Sequence, residues 1–328
     1  MKNIVLVTGG TGFVGVHTIF QLMQQGYQVR TTLRSLSKKE NIIHALSSAG
    51  ITDFSSLSFF EAELTSDEGW TEAVENCEYV LHIASPFPAE QPKDEDELII
   101  PARDGALRVL RASRNAGVKR VVLTSSFAAI GYSKDPKDHT FTELDWTDEN
   151  APIVPYIKSK TIAEKAAWNF IDTEGGDMEL TVINPVGIFG PVMGDISSAS
   201  LDSVVTGILT GTIKESPAFT FGVVDVRDVA DIHIKAMLHP EAKGQRFLAT
   251  SDGAVSFYDV AQLIKNARPE LAANIADMEP TDEMFYVTMS NKKAVETLDW
   301  NPISTEDAIL ASVDSLAKSV NLQNKIQP

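Results

Sequence analysis

Four side chains in the middle of the chain have the types and spacing for proton transfer. Ser125 and Ser126 stand together, and roughly thirty residues on comes Tyr156-Ile157-Lys158-Ser159-Lys160. On a helix, Tyr156 and Lys160 are i and i+4, neighbours on one face. A free tyrosine loses its proton near pH 10, too weak an acid for fast donation at neutral pH. A neighbouring ammonium stabilises the phenolate and lowers that pKa. Tyr156 is then placed to give a proton to a carbonyl oxygen while hydride reaches the carbon. A serine hydroxyl can hydrogen-bond the same oxygen, where negative charge develops. Tyr-x-x-x-Lys also arises by chance on surface helices, so its meaning comes from its order relative to a second motif.

That motif lies near the N-terminus. Ile4 to Val7 reads as a buried strand, Thr8-Gly9-Gly10-Thr11-Gly12 as a tight turn. From Phe13 the spacing is helical, with Phe13, Val16, Ile19, Phe20 and Met23 on one side. Gly10, Gly12 and Gly15 fit G-x-G-x-x-G. Gly9, Gly12 and Gly15, preceded by Thr8, fit the more specific T-G-x-x-G-x-x-G. A strand that runs through glycines into a helix N-terminus presents backbone N–H groups and a positive dipole end to a pyrophosphate.

The next strand, Gln28 to Leu33, bears on which dinucleotide. An NAD site places Asp or Glu near its end for the ribose 2′-hydroxyl. Here no acidic residue occurs before Glu40. Arg34, Lys38 and Lys39 stand there instead, in a chain of net charge −17. A 2′-phosphate explains this basic corner, since guanidinium and ammonium groups pair with phosphate oxygens. The other reading is a solvated loop that happens to carry lysines. NADP is the expected cofactor.

The elements that must hold these groups alternate. After the first two strands, Lys38 to Ala49 reads as a helix and Leu57 to Glu61 as a third strand. Asp67 to Glu75 is a short helix and Tyr79 to Ile83 a fourth strand. Residues 89–97 are an acidic run, a solvated loop or a helix start. Ile100 to Asn115 is helical, Arg120 to Thr124 a fifth strand, Ile153 to Thr173 a long helix and Leu180 to Asn184 a sixth strand. This alternation implies an α/β fold, a Rossmann doubly wound parallel sheet with helices on both faces. Ligands sit at the carboxyl ends of such strands, where Gly9, Arg34, Glu63, Ala84, Ser125 and Pro185 fall. Segments 222–239 and 244–250 look like a helix and a strand returning to the sheet. The expected division is a dinucleotide-binding domain of 1–185 plus about 222–250. The remainder, about 186–221 and 251–328, forms a smaller C-terminal substrate lobe packed against it.

Composition narrows the function. The length of 328 residues suits one large or two modest domains. The acidic balance argues against nucleic acid and anionic membranes as partners. A single cysteine, Cys77, leaves no internal disulfide and suits a reducing compartment. No apolar run approaches the ~18 residues of a membrane span. The first strand leaves no room for a signal peptide, and a cytoplasmic monomer or homodimer is expected. Six histidines are scattered without ligand spacing, so no metal site is expected. His82, inside a strand, reads as packed core, and Asp225, Asp228 and Asp231 as a helix start with its dipole partners.

Taken together, the stretches VTGGTGFVG, TTLRS, YVLHIASPF, RVVLTSSFAAI, YIKSK, NPVGIFGP and DVRDVADIHIKAM, spread over about residues 4–240, resemble the extended short-chain dehydrogenase/reductases. Within these, the chain is similar to dihydroflavonol reductase-like carbonyl reductases, including the yeast methylglyoxal/isovaleraldehyde reductase type. SNKKAVETLDW, residues 290–300, resembles the C-terminal end of that group more faintly. The resemblance implies Ser126, Tyr156 and Lys160 as catalytic residues. It implies Gly9, Gly12, Phe13, Val14 and Gly15 at the pyrophosphate, Arg34 and Lys38 at the 2′-phosphate, and Glu63 and Leu64 at the adenine, where the family usually has Asp. Ala84 and Ser85 would lie near the ribose, and Pro185, Ile188 and Ser200 near the nicotinamide. Lys160 would also hold ribose hydroxyls. Plant dihydroflavonol reductases carry a substrate-recognising Asn five residues after the catalytic serine. Gly131 stands there in this chain, which argues against a flavonoid substrate.

The expected activity is NADPH-dependent reduction of small, largely apolar aldehydes or ketones. Phe87, Phe127, Tyr132, Phe189, Met193 and Phe221 either line the substrate pocket or belong to the core. Sugar-nucleotide epimerases and dehydratases share the fold, but must grip a second diphosphate. From Pro185 onward there are 11 Lys+Arg against 19 Asp+Glu, which counts against that reading and against a CoA thioester. A non-catalytic NADP-binding redox sensor would have no use for Ser126, Tyr156 and Lys160 together.

Overall fold

The computed structural model describes residues 3–86, 92–196 and 198–318; Phe87 lies outside them. Seven parallel strands form the central sheet: β1 (Ile4–Thr8), β2 (Gln28–Leu33), β3 (Leu57–Glu61), β4 (Tyr79–His82), β5 (Arg120–Thr124), β6 (Glu179–Pro185) and β7 (Arg246–Ala249). Their spatial order is β7-β6-β5-β4-β1-β2-β3, which reverses direction at β1. That reversal opens a crevice at the carboxyl edge between β1 and β4, the place where such sheets bind ligands.

Side-chain alternation along each strand divides the apolar residues between two cores. Val5, Val7, Tyr79, Leu81, Val122 and Ile183 point into one. Leu6, Val80, Val121, Leu123, Leu180 and Val182 point into the other. Both faces are buried, so these strands read as continuous apolar runs rather than alternating ones.

The helices complete the layers. On one side lie α1 (Phe13–Gln24) and α2 (Lys39–Ser48). On the other lie α3 (Trp70–Val74), α4 (Asp96–Asn115) and α5 (Pro155–Glu174). α6 (Val226–Leu238) joins α1 and contributes Val229 and Ile232. It starts as a helix should: Asp225 caps the Arg227 N–H at 2.8 Å, and Asp228 sits in the first turn. α7 (Phe257–Ala267), α8 (Lys292–Leu298) and α9 (Thr305–Ala317) follow. Val260, Ile264, Ile309 and Val313 from these helices extend the α1 core without a break.

Three features depart from the sequence expectation. α4 begins at Asp96, ahead of Ile100, and contains Pro101. The end of the acidic run is thus a helix start, and Asp96 and Glu97 suit the positive end of the helix dipole. Residues 223–225 form a short strand before α6, paired with 187–189 outside the main sheet. A further two-residue pair joins 140–141 to 288–289. Among the described residues, no helix is long and apolar enough to cross a membrane. No group of three or more His, Cys, Asp or Glu among them is placed to hold a metal ion.

Three histidines are buried as neutral rings. Burial lowers His17 to about 4, His82 to about 3 and His233 to about 4, from 6.5. Between those values and 6.5 the unfolded chain holds more protons, so the stability they contribute is complete above pH 6.5 and lost as pH falls. By pH 5 the loss is about 2 kcal/mol per ring. Asp228, raised by burial to about 6, acts in the opposite sense but is one group against three. The urea midpoint should therefore drop between pH 7 and pH 5; an unchanged midpoint would contradict the neutral burial of these rings.

Candidate active site

The glycine turn between β1 and α1 is set by close approaches. Gly9 has φ +74°, and a Cβ there would lie 3.1 Å from Ala84. A Cβ on Gly15 would come within 2.3 Å of the Gly9 carbonyl oxygen. The turn is thus pressed against the loop after β4 on one side and its own helix on the other. No side chain caps the N-terminus of α1, where Gly12 is the N-cap residue. Phe13 and Val14 open the helix with buried side chains. This cradle fits an anion approached by backbone N–H groups.

Thr8 fastens the cradle to β4. Its hydroxyl oxygen accepts the Ile83 and Ala84 N–H groups at 3.0 and 2.9 Å. Its own proton then goes to His82 Nδ1, 2.8 Å away, which leaves the ring proton on Nε2. Ala84 and Ser85 are held beside the turn by this bond.

Along the rim, Arg34 and Lys38 are exposed after β2. The Ser35 hydroxyl accepts the Ser37 N–H, and the Glu61 carboxylate accepts the Leu36 N–H at 3.1 Å. Glu63 is exposed after β3, its carbonyl taking the Trp70 indole N–H at 3.1 Å. Leu64 is half-buried against Gly105, where a Cβ would lie 2.8 Å from its own. The two cationic side chains therefore flank the end of β2 with no acid in the Arg34 position.

At the other end of the crevice, the serine pair is divided by its backbone. Ser125, directly after β5, points inward and is buried. Its hydroxyl donates to Glu164 Oε2 at 2.5 Å. Ser126 points into a cavity and hydrogen-bonds the Tyr156 side chain. Its oxygen also accepts the Ala128 N–H at 3.1 Å. Pro155 starts α5, which places Tyr156 in its first turn and Lys160 one turn on. The Lys160 ammonium donates to Ser85 Oγ at 2.9 Å and lies 5.8 Å from the centre of the Tyr156 ring. Ser85, Ser126, Tyr156 and Lys160 are thus brought together from three separate stretches.

The electrostatics differ from the sequence expectation. Burial pushes the Tyr156 phenol up to about 12; the Ser126 hydrogen bond opposes this and Tyr132 adds to it. Lys160 is itself buried and lowered to about 8, with the Glu164 charge opposing, and its nitrogen is turned to Ser85.

The cavity holding Ser126 and Tyr156 has a volume of about 590 Å³. Phe127, Tyr132, Phe189 and Phe221 line it, and so does Ser200. Met193 does not: it is buried and lines a separate cavity with His17 and Phe20. Pro185 ends β6, buried; Val186 and Gly187 reach the wall, and Ile188 is half-buried just beyond. Gly131 is needed for space: a Cβ there would meet the Phe127 ring at 2.3 Å. The place where the resemblance leads one to expect the Asn side chain of plant dihydroflavonol reductases is filled here by a phenyl ring.

The sequence pattern of the NAD dependent epimerase/dehydratase family matches residues 5–249. The chain belongs to this family, the extended short-chain dehydrogenase/reductases. It is 31% identical over 326 residues to cinnamoyl-CoA reductase CAD2 of Medicago truncatula, covering 96% of each chain. It is 31% identical to the NADPH-dependent methylglyoxal reductase GRE2 of Saccharomyces cerevisiae, covering 96% of this chain and 98% of that one. A crystal structure of yeast methylglyoxal/isovaleraldehyde reductase Gre2 with NADPH superposes with a TM-score of 0.84 at 28% identity, over 98% of this chain and 100% of that one.

Within this extended reductase fold, the sequence reading passed over the groups beneath the site. Glu164 is the chief one, and Asn184, Arg246 and Trp168 surround it. A signal for Glu164 was present, since 156, 160 and 164 continue one i+4 row. The far wall of the cavity was passed over too: Phe219, Phe257 and Phe285 come from distant segments.

The Gly15 approach gives a direct test. Gly15→Ala forces a methyl group against the Gly9 carbonyl, and should cost about 1–3 kcal/mol in urea unfolding. A variant as stable as the native chain would show that the turn yields without strain.

Proposed function

We propose that this chain is an NADPH-dependent reductase of small, largely apolar aldehydes or ketones. The observation that carries this is Ser126 and Tyr156, hydrogen-bonded to each other on the wall of an aromatic cavity, with Lys160 behind them. NADPH suits the residues around the crevice. The glycine cradle and the uncapped α1 would take the pyrophosphate, Arg34 and Lys38 the 2′-phosphate, and Glu63 and Leu64 would border the adenine. Bound NADPH supplies hydride to the carbonyl carbon. Tyr156 gives its proton to the carbonyl oxygen, and Ser126 donates a hydrogen bond to that oxygen as charge grows. A phenol near 12 is still a stronger acid than the alcohol it forms, so the transfer runs downhill. Lys160 would hold ribose hydroxyls, taking up the role that Ser85 now fills.

The cavity supports apolar substrates. Phe189 and Phe221 stack at 5.9 Å, and Phe257 packs edge-on against Phe221 at 5.7 Å. Lys134 is the one cation among the described lining residues, and Asp145 pairs with it. A nucleotide sugar or acyl-CoA finds no free diphosphate clamp there. We further propose that 1–185 with about 222–250 forms the cofactor domain, and 186–221 with 251–328 the substrate lobe.

Replacing Tyr156 with Phe keeps the ring and removes the proton. Turnover with an aldehyde or ketone panel should fall by about a hundredfold or more, with NADPH affinity mostly retained. Turnover near the native rate would sink the role given to Tyr156.

Arg34 tests the cofactor. Losing one charge-assisted contact to phosphate is worth about 1.5–3 kcal/mol, or about ten- to a hundredfold. Arg34→Ala should raise KM for NADPH by that range while NADH use changes little. Arg34→Asp should go further. The ratio of kcat/KM for the two cofactors is the measurement, and an identical ratio in all three proteins would make Arg34 an ordinary surface residue.

A further inference from the structure

Glu164 is 1% exposed, yet it carries a carboxylate with donors on both oxygens. Oε2 accepts from Ser125 Oγ at 2.5 Å and from Asn184 Nδ2 at 2.7 Å. Oε1 accepts from Arg246 Nε at 2.5 Å and Trp168 Nε1 at 3.2 Å. These partners come from the segment after β5, from β6, from β7 and from α5 itself. Asn184 Nδ2 also donates to the Ser126 carbonyl at 3.1 Å. Glu164 therefore touches neither substrate cavity nor cofactor crevice, but reaches both backbone segments that carry the Ser126–Tyr156 contact.

We propose that Glu164 is a positioning residue: its carboxylate locks the Ser125–Ser126 segment to α5, and so sets the distance between the Ser126 and Tyr156 hydroxyls. The inference rests on the reductase reading above. Ser125 and Asn184 are fixed by Oε2, and through them the strand end that presents Ser126. Tyr156 and Lys160 sit on the same helical row as Glu164, two turns and one turn before it. A shift of the serine segment relative to this row moves the Ser126 hydroxyl away from the Tyr156 phenol directly.

The substitution Glu164→Gln shows how this would fail. An amide nitrogen must now face one of the two donor pairs. Asn184 Oδ1 is buried without a hydrogen-bond partner, so the cheapest relief is a flip of the Asn184 amide to accept from the new NH₂. That flip withdraws Nδ2 from the Ser126 carbonyl. The new amide gains an acceptor at the cost of an Asn184 NH₂ turned to the place where Oδ1 had no partner, and the serine segment loses this anchor.

The experiment measures kcat, KM and NADPH dissociation constant for the native chain, Glu164→Gln, Ser125→Ala and Ser125→Thr, using one ketone that the native chain reduces. Native protein inactive on every carbonyl compound in the panel would overturn the reductase reading itself. With native activity in hand, Glu164→Gln should lose about ten- to a hundredfold in kcat, the range expected of misplacement by about an ångström. NADPH affinity, read by fluorescence, should fall less than kcat, since the glycine cradle is remote and Lys160 is the cofactor contact beside Glu164. Ser125→Ala should lower kcat several-fold, and Ser125→Thr, which restores the hydroxyl, should recover it. If Glu164→Gln does not fold, the serine pair decides: loss in Ala with recovery in Thr supports the proposal. Equal kcat in Ser125→Ala and the native chain, or a Glu164→Gln whose folded fraction turns over at the native rate, would overturn it.

Discussion

A charge shut away from water must be met by donors or it destabilises the fold. The Glu164 carboxylate, paired with Arg246 in a buried contact, imposes that requirement on everything around it. It explains why polar residues interrupt strands that are otherwise Val, Ile and Leu. Asn184 in β6 and Arg246 in β7 are fully or nearly fully buried, and each is there with a partner to reach. Arg246 Nη1 donates to the carbonyls of Glu143 and Asp145, and its guanidinium lies 3.7 Å from the centre of the Trp146 ring. Glu143 closes the circuit by accepting the Leu248 N–H at 2.8 Å. One buried anion thus couples α5, two strand ends and the 143–146 segment, whose neighbours Lys134 and Phe141 border the cavity.

The parts of the fold that were legible in the sequence are those governed by local rules. β1, the glycine turn and α1 announce themselves because a strand, a tight turn and a helix each leave a short-range pattern. The division of labour between Ser125 and Ser126 is a consequence of the same alternation that splits Leu6 from Val5 and Val7. The basic corner at Arg34 and Lys38 could be read because it opposes the charge of the whole chain. The start of α4 stayed open between a solvated loop and a helix start because Pro101 and the acids before it have the composition of a loop, while in the fold they make its first two turns.

What stayed illegible depends on residues far apart in the chain. Phe219, Phe257 and Phe285 meet Phe189 and Phe221 around one cavity, and no period relates their positions. Met193 could not be told from them by type alone: it has the same apolar character but is turned toward α1. Gly131 illustrates a subtler case. Its spacing from Ser126 was noticed, but the reason for a glycine lies in the Phe127 ring, which in turn packs edge-on against Phe141 at 5.5 Å. Only the fold shows that the missing side chain and the ring occupy the same space.

The protonation of the Tyr156–Lys160 pair follows from the same burial. Desolvation raises the phenol and lowers the ammonium, so each is driven toward its neutral form. A lysine near 8 stays mostly protonated at neutral pH, and the Glu164 carboxylate one turn on is the group that opposes the lowering by burial. The charge of Lys160 is thus tied to the same carboxylate that anchors the serine segment. Nearby, His82 is also lowered by the Lys160 charge, after burial, and it cannot take up a proton in exchange. In the reduction proposed above, Tyr156 would act from a neutral phenol beside the Ser126 hydroxyl, since burial disfavours its phenolate. A proton held that way moves when an oxygen in the cavity becomes a stronger base than phenolate. Hydride arrival at a carbonyl carbon creates that condition, and an unreacted carbonyl does not.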